Sequence, residues 1–165
     1  MSDGLRLVGF EELSAVALRE RLLARRSEFW TGSVLDEATV LSMHDPLFFH
    51  QLGGFGAVAR TPDGEDAGYL LGVVSADRLA VVHALAVHPG WRRRGLAHRL
   101  VQRFAGLAAS TGARAIQAVA VPGDTTVLAL GARFGASPAP SPGHAGPGAD
   151  RVLLTRLLPL ARPVR

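Results

Sequence analysis

Apolar and polar positions along the chain change period several times, and the changes mark out its elements. Leu5–Phe10 is a short apolar run that suits an opening strand. Over Glu11–Trp30, Leu13, Val16, Ala17, Leu22 and Leu23 recur among charged residues at an approximately helical spacing, which predicts a helix. A short helix is expected around Leu35–Leu41, and His44–His50 fits no single period. Gly53-Gly-Phe-Gly56 is a break rather than a phosphate loop, since no G-x-x-x-x-G-K-[ST] pattern follows it. Ala57–Arg60 and Ala67–Val74 read as strands joined by the turn chemistry of Thr61–Asp66. Leu79–Val87 is apolar on both faces apart from His83, which places it in the middle of a sheet. Pro89-Gly90 ends it. Leu96, Leu100, Phe104 and Leu107 then define one helix face, with Gly112 as its C-terminal stop. Ala115–Val121 is a further buried strand, Asp124 caps a helix over Thr125–Phe134, and Arg151–Leu158 is a last strand. Residues 137–150 read as a Pro/Gly-rich loop and 159–165 as a tail. The order β-α-α-β-β-β-α-β-α-β, with no internal repeat, predicts one α/β domain over 1–165: a mixed sheet of six to seven strands flanked by about four helices.

Composition narrows the class. Of the 165 residues, 48% are hydrophobic and 19% charged, enough for a core and against wholesale disorder. No cysteine is present, which excludes a disulfide scaffold, a thiolate metal site and a cysteine nucleophile. No apolar run has the length of a membrane span, and Met1–Arg6 lacks the layout of a signal peptide, so the expected setting is cytoplasmic and away from membranes. All 18 basic residues are arginine. Seven of them, Arg78, Arg92, Arg93, Arg94, Arg99, Arg103 and Arg114, lie between Asp77 and Asp124 with no acid among them, whereas the other eleven share the chain with all 14 acids. A cationic segment in an otherwise acidic chain fits either an anionic ligand or a solvated surface. Nucleic acid is not expected, because interleaved aromatics and a recognition motif are missing.

The sharpest constellation is Val87-His-Pro-Gly-Trp-Arg92-Arg-Arg-Gly95-Leu-Ala97, where an apolar strand turns into a helix. Such a turn presents main-chain N–H groups and the positive end of a helix dipole, and its small residues let an anion approach. Three arginines add charge and directional donors. Arg92-x-x-Gly95-x-Ala97, following Ala86-Val87-His88-Pro89, resembles the [QR]-x-x-G-x-[GA] acyl-CoA signature of the GNAT superfamily of N-acetyltransferases. Val82–His88 is especially similar to the corresponding strand of the arylalkylamine (serotonin) N-acetyltransferases, and the element order matches over 57–135.

The resemblance implies a GNAT fold, splayed between the fourth and fifth strands, with acetyl-CoA as cosubstrate and no metal. Main-chain groups of Leu85, Ala86 and Val87 would pair with the pantetheine arm. N–H groups from Arg92, Arg93, Arg94, Gly95, Leu96 and Ala97 would hold the diphosphate. The N–H near Leu85 would face the thioester oxygen and stabilise the oxyanion. The side chains of Arg93 and Arg94 would meet the 3′-phosphate or face water. His83 matches one catalytic histidine of the arylalkylamine enzymes, the other matching Val81. In an apolar strand an imidazole tends to stay neutral and could take a proton from the acceptor amine through water; the alternative is a structural histidine bonded to nearby backbone.

One position departs from the family. The tyrosine that usually protonates the leaving thiolate matches Gly131, and the chain's sole tyrosine, Tyr69, lies on an early strand. Thr125, Thr126 and His144 are candidate substitutes. The expected activity is transfer of an acetyl group to the primary amine of a small molecule or peptide by direct attack in a ternary complex. A weak or inactive acyl-CoA-binding module is the alternative. Phe29, Trp30, His44, Phe48 and Phe49 either line an apolar acceptor site or form ordinary core. Homodimers are common in the family. The acceptor's identity and the acyl length are not encoded in any motif.

Overall fold

The computed structural model describes residues 3–50 and 55–159. Gly53, Gly54 and most of the expected tail therefore lie outside the described residues. The chain divides into two compact units, Met1–Val73 with His83–Phe104, and Val74–Val82 with Ala105–Arg165.

The first unit opens with β1 (Arg6–Gly9), a 3-10 turn at Phe10–Glu12, and four short helices: α1 (Ala15–Ala24), α2 (Arg26–Phe29), α3 (Glu37–Met43) and α4 (Pro46–His50). The single helix expected over 11–30 is thus divided. Ser14 accepts a bond from the Ala17 N–H and starts α1, and Arg25, at φ −108° and ψ 14°, separates α1 from α2. Asp36 caps α3 in the same way, accepting from the Thr39 N–H. β2 (Phe55–Arg60) and β3 (Asp66–Val74) form the predicted hairpin. The second half of β4 (Leu79–Val87), a 3-10 turn at Pro89–Trp91 and the start of α5 (Leu96–Ser110) complete the unit. Its core gathers Leu18, Leu22, Phe29, Phe48, Phe49, Val58, Tyr69, Leu71, Ala84 and Ala86. Asp66 is buried at the head of β3, where Arg21 (2.9 Å) and Arg60 (3.4 Å) neutralise it.

The second unit contains β5 (Ala115–Ala120), α6 (Thr125–Phe134), β6 (Ser137–Ser141) and β7 (Arg151–Leu157). α6 has the bounds the sequence predicts because both its signals are local. Asp124 accepts from the Val127 N–H, and Gly135 stops the helix in the left-handed region at φ +79°. The expected loop over 137–150 needs correction, since its first five residues form β6 against β7, from Ser137↔Thr155 to Ser141↔Arg151. β6 is an edge strand, where Pro138 and Pro140 can sit at alternate positions without removing a donor the ladder needs.

The seven strands follow the order β1-β2-β3-β4-β5-β7-β6, with β4 central as its two apolar faces predict. Pairings are antiparallel for β1–β2, β2–β3, β5–β7 and β6–β7, and parallel for β4–β5. The β4–β5 ladder runs only from Leu79↔Ala115 to Val81↔Gln117 and leaves Val82–Val87 outside it.

Candidate functional site

The β4–α5 turn begins where the His88 N–H bonds the Ala67 carbonyl (2.9 Å) and the chain enters the Pro89–Trp91 turn. His88 is fixed at both ring nitrogens. Nδ1 accepts from the Gly90 N–H (3.2 Å), so Nε2 carries the proton and donates to Glu28 (3.0 Å). Arg25 first and His88 second hold the Glu28 carboxyl below its ordinary range. Beyond this turn Arg93 (φ +60°) and Gly95 (φ +78°) both adopt left-handed backbone. Left-handed residues in a short loop turn successive N–H groups toward one side, and the first N–H groups of α5 follow directly. Arg93 and Arg94 are exposed, and the Arg94 guanidinium lies 5.1 Å over the Trp91 ring. Leu96 is buried and anchors the helix start, whereas Ala97 is half-buried.

Arg92 acts differently from the expected phosphate donor. Its Nε bonds the Val87 carbonyl (2.9 Å), Nη1 the Thr31 carbonyl (2.8 Å) and Nη2 the Phe29 carbonyl (2.9 Å). Its main-chain N–H points at the Pro89 carbonyl (3.3 Å). The guanidinium therefore straps the end of α2 to the end of β4, and the turn's cationic donors are Arg93 and Arg94. Of the other arginines in the basic segment, Arg99 pairs with Asp3 at 2.6 Å and Arg114 donates to the Asp77 carbonyl.

His83 lies half-buried on β4, upstream of Leu85, Ala86 and Val87. The Phe48 ring stacks flat on it, with centroids 4.4 Å apart and planes 7° apart. Burial pushes its pKa below the ordinary 6.5, against a smaller upward effect from a hydrogen bond with the Met43 backbone. Its Nε2 is buried with no hydrogen-bond partner. A neutral imidazole with one unengaged nitrogen is chemically equipped to take a proton, and the Met43 contact is also what the structural alternative predicted.

The aromatic residues on the front helices come together as core. Phe29, Phe48, Phe49 and His44 are buried, and only Trp30 remains half-buried. Sequence reasoning did not reveal the chain of polar contacts among them. Trp30 Nε1 donates to the Tyr69 hydroxyl (2.9 Å), the hydroxyl meets His44 Nε2 (2.9 Å), and His44 Nδ1 meets the Val40 carbonyl (2.7 Å). Its partners are separated by 25 and 39 residues, so no local pattern announces it. Tyr69 is wholly buried, and that burial raises its pKa far above the ordinary value, so it is no acid for a leaving group.

In the second unit, a Cβ at Gly131 would lie 2.8 Å from Leu154 Cδ1, so a side chain there would require the end of the Leu154 side chain to shift. Thr125 and Thr126 are exposed at the start of α6, and His144 Nδ1 is bonded to the Ser141 hydroxyl (3.1 Å).

The β4–α5 turn thus joins the central strand to the long helix through two left-handed residues, Arg93 and Gly95. Residues 17–136 match the family profile described as Acetyltransferase (GNAT) family. The chain belongs to that family and is an N-acetyltransferase. No curated protein matches it in sequence. Among solved structures it is similar to an acetyltransferase of the GNAT family from Staphylococcus aureus, at 10% identity over 94% of this chain and 99% of that one, with a TM-score of 0.72. The ribosomal-protein-S18-alanine N-acetyltransferase from Escherichia coli is similar at 15% identity over 98% of both chains, with a TM-score of 0.69. The IAA acetyltransferase from Bacillus cereus is similar at 12% identity over 93% and 99%, with a TM-score of 0.68. At these identities the likeness is one of fold. Among the described residues no helix is long and apolar enough to cross a membrane.

Proposed function

We propose that the enzyme transfers an acetyl group from acetyl-CoA to the primary amine of a small molecule or peptide, by direct attack within a ternary complex. The observation that carries this reading is the Arg93–Gly95 backbone, left-handed at both ends and continuous with the α5 N-terminus. No acid lies between Asp77 and Asp124, so the turn's own residues offer a diphosphate main-chain donors and cationic side chains. The residues present fit coenzyme A. N–H groups of Arg93 to Ala97 hold the diphosphate, Arg93 and Arg94 face its outer charge, and main-chain groups of Leu85, Ala86 and Val87 align the pantetheine arm as an added strand.

In this reading the amine nitrogen attacks the thioester carbon, and the oxygen takes up charge facing the Leu85 N–H. The ammonium proton passes to His83, directly or through one water. The tetrahedral adduct then expels the coenzyme A thiolate. A thiol with an ordinary pKa of about 8.5 leaves largely as its anion, so the absence of a tyrosine at Gly131 does not block the step. With no cysteine in the chain, no acyl-enzyme on a thiol intervenes. The arylalkylamine subtype receives no support beyond the Val82–His88 resemblance, and the front aromatics Phe29, Phe48 and Phe49 are core.

Gly95→Glu tests the seat. It puts a charged side chain on a residue at φ +78° facing open space, so the protein folds with modest strain and the diphosphate meets an anion. Calorimetry should show coenzyme A affinity reduced about a hundredfold or more, roughly 2.7 kcal/mol. Unchanged affinity in a folded variant would place the coenzyme elsewhere.

A further inference from the structure

The polar groups at the α3–α4 corner form a chain in which every hydrogen is assigned. The Val40 carbonyl only accepts, so His44 Nδ1 holds a proton and donates it there (2.7 Å). Nε2 then has only a lone pair and accepts the Tyr69 O–H (2.9 Å), while the Tyr69 oxygen accepts the Trp30 Nε1–H (2.9 Å). The chain ends in a carbonyl at one side and an indole N–H at the other. Neither end passes a proton on, so the chain is a clamp and not a proton wire. It is anchored a second time where Arg19 Nε donates to the His44 carbonyl (2.7 Å). His44 and Tyr69 are both fully buried, which keeps water from competing for these bonds.

The clamp adjoins the groups that hold His83. Met43, whose backbone bonds the His83 ring, directly precedes His44. Phe48, whose ring lies flat on His83 at 4.4 Å, follows on α4, and Phe49 stacks on His44 itself (6.5 Å, 22°). His83 Nε2 has no hydrogen-bond partner, so the ring's orientation depends on these contacts.

We infer that Tyr69 and His44 are positioning residues for His83: their bond fixes the α3–α4 corner from which Met43 and Phe48 hold the imidazole in one tautomer and one orientation. This deepens the assignment of His83 as the base and rests on it for its catalytic consequence. The two residues touch no reacting atom; they act through the corner.

The test uses the full-length, uniformly 15N-labelled protein and its long-range 1H–15N imidazole spectra near neutral pH. In the wild type, His83 gives two widely split nitrogen shifts, the mark of one tautomer, and His44 is protonated at Nδ1. Tyr69→Phe keeps the ring and its edge contact with Phe29 (5.2 Å, 77°) but removes the hydroxyl. It draws the two His83 shifts toward each other and lowers kcat about tenfold, a part of what a general base supplies, with coenzyme A affinity within about twofold. Split His83 shifts persisting in a folded Tyr69→Phe protein would overturn the inference whatever kcat does. If that variant does not fold, the wild-type spectrum decides: averaged His83 shifts, or a His44 protonated at Nε2, overturn it, and the stated pattern supports it. His83→Ala with undiminished kcat refutes the base assignment while leaving the tautomer result intact, so the two failures are distinct.

Discussion

The β4–α5 turn and the α3–α4 corner lie in the same unit and use polar groups in opposite ways. At the turn, a side chain is bound to main-chain carbonyls (Arg92 to Phe29, Thr31 and Val87), while left-handed residues turn main-chain N–H groups outward. At the corner, side chains bind one another out of water, and one imidazole nitrogen on the adjacent strand has no partner. A polyanion needs many fixed donors at a surface, whereas a base needs one lone pair in a fixed direction. The turn therefore tolerates exposure and the corner does not.

The sharpest way to break this contrast is Arg92→Ala. It removes three bonds from a charged donor, all to carbonyls, and frees the end of α2 from the end of β4. A loss of about 2–4 kcal/mol in folding stability is expected, reduced from the sum of the parts because the side chain is largely exposed. Coenzyme A affinity should fall as well, although Arg92 offers the phosphates nothing. Denaturant titration beside calorimetry checks both, and a variant that weakens neither would mean the strap is incidental. Arg92→Lys should recover only part, since an ammonium cannot reach three carbonyls in the guanidinium's fork.

The corner is tested through pH. Burial is the main cause that holds His44 below its ordinary 6.5, with His83 and Arg19 adding to it against the upward pull of the Val40 carbonyl. A depressed folded value means that the unfolded chain binds the extra proton. The stabilisation from keeping His44 neutral is complete above 6.5 and is lost as pH falls through the lower folded value. Stability should thus decline on acidification below 6.5, by up to about 1.4 kcal/mol per pH unit for this proton. In His44→Leu that share of the slope disappears, and about 1–3 kcal/mol is lost at pH 8 because the Tyr69 hydroxyl loses its acceptor. An unchanged slope in that variant would show that His44 titrates normally and that the corner is wet.

How much of this was legible in the sequence follows the same division. Strand, turn and helix start at 79–97 were readable because their signals are local: an apolar run, Pro89-Gly90, a small residue at 95 and a periodic face from Leu96. α6 was readable between Asp124 and Gly135 for the same reason. β6 was not, because a strand written Ser-Pro-Ala-Pro-Ser is defined by β7 beside it and not by its own propensity. Two of the three carbonyls that take Arg92, those of Phe29 and Thr31, and the His44–Tyr69 bond depend on partners distant in sequence. Gly131 shows the converse case. Its missing tyrosine was legible, but the packing of the position against the Leu154 side chain, 2.8 Å from a Cβ, needed the fold.

The smallest expected effect sharpens the contrast within the turn. Glu28 is joined to His88 Nε2 and to Arg25 at an exposed surface, where ion pairs contribute little. Glu28→Gln keeps a carbonyl oxygen that can accept the His88 Nε2–H and removes only the charge. If the turn is held by main-chain geometry, melting temperature and coenzyme A affinity should both stay near wild type, and the ratio of affinities should not change with salt. A loss comparable to that of Arg92→Ala, fading as salt is raised, would mean that charge and not carbonyl geometry fixes the strap, and the turn would then resemble an ordinary salt-bridged surface.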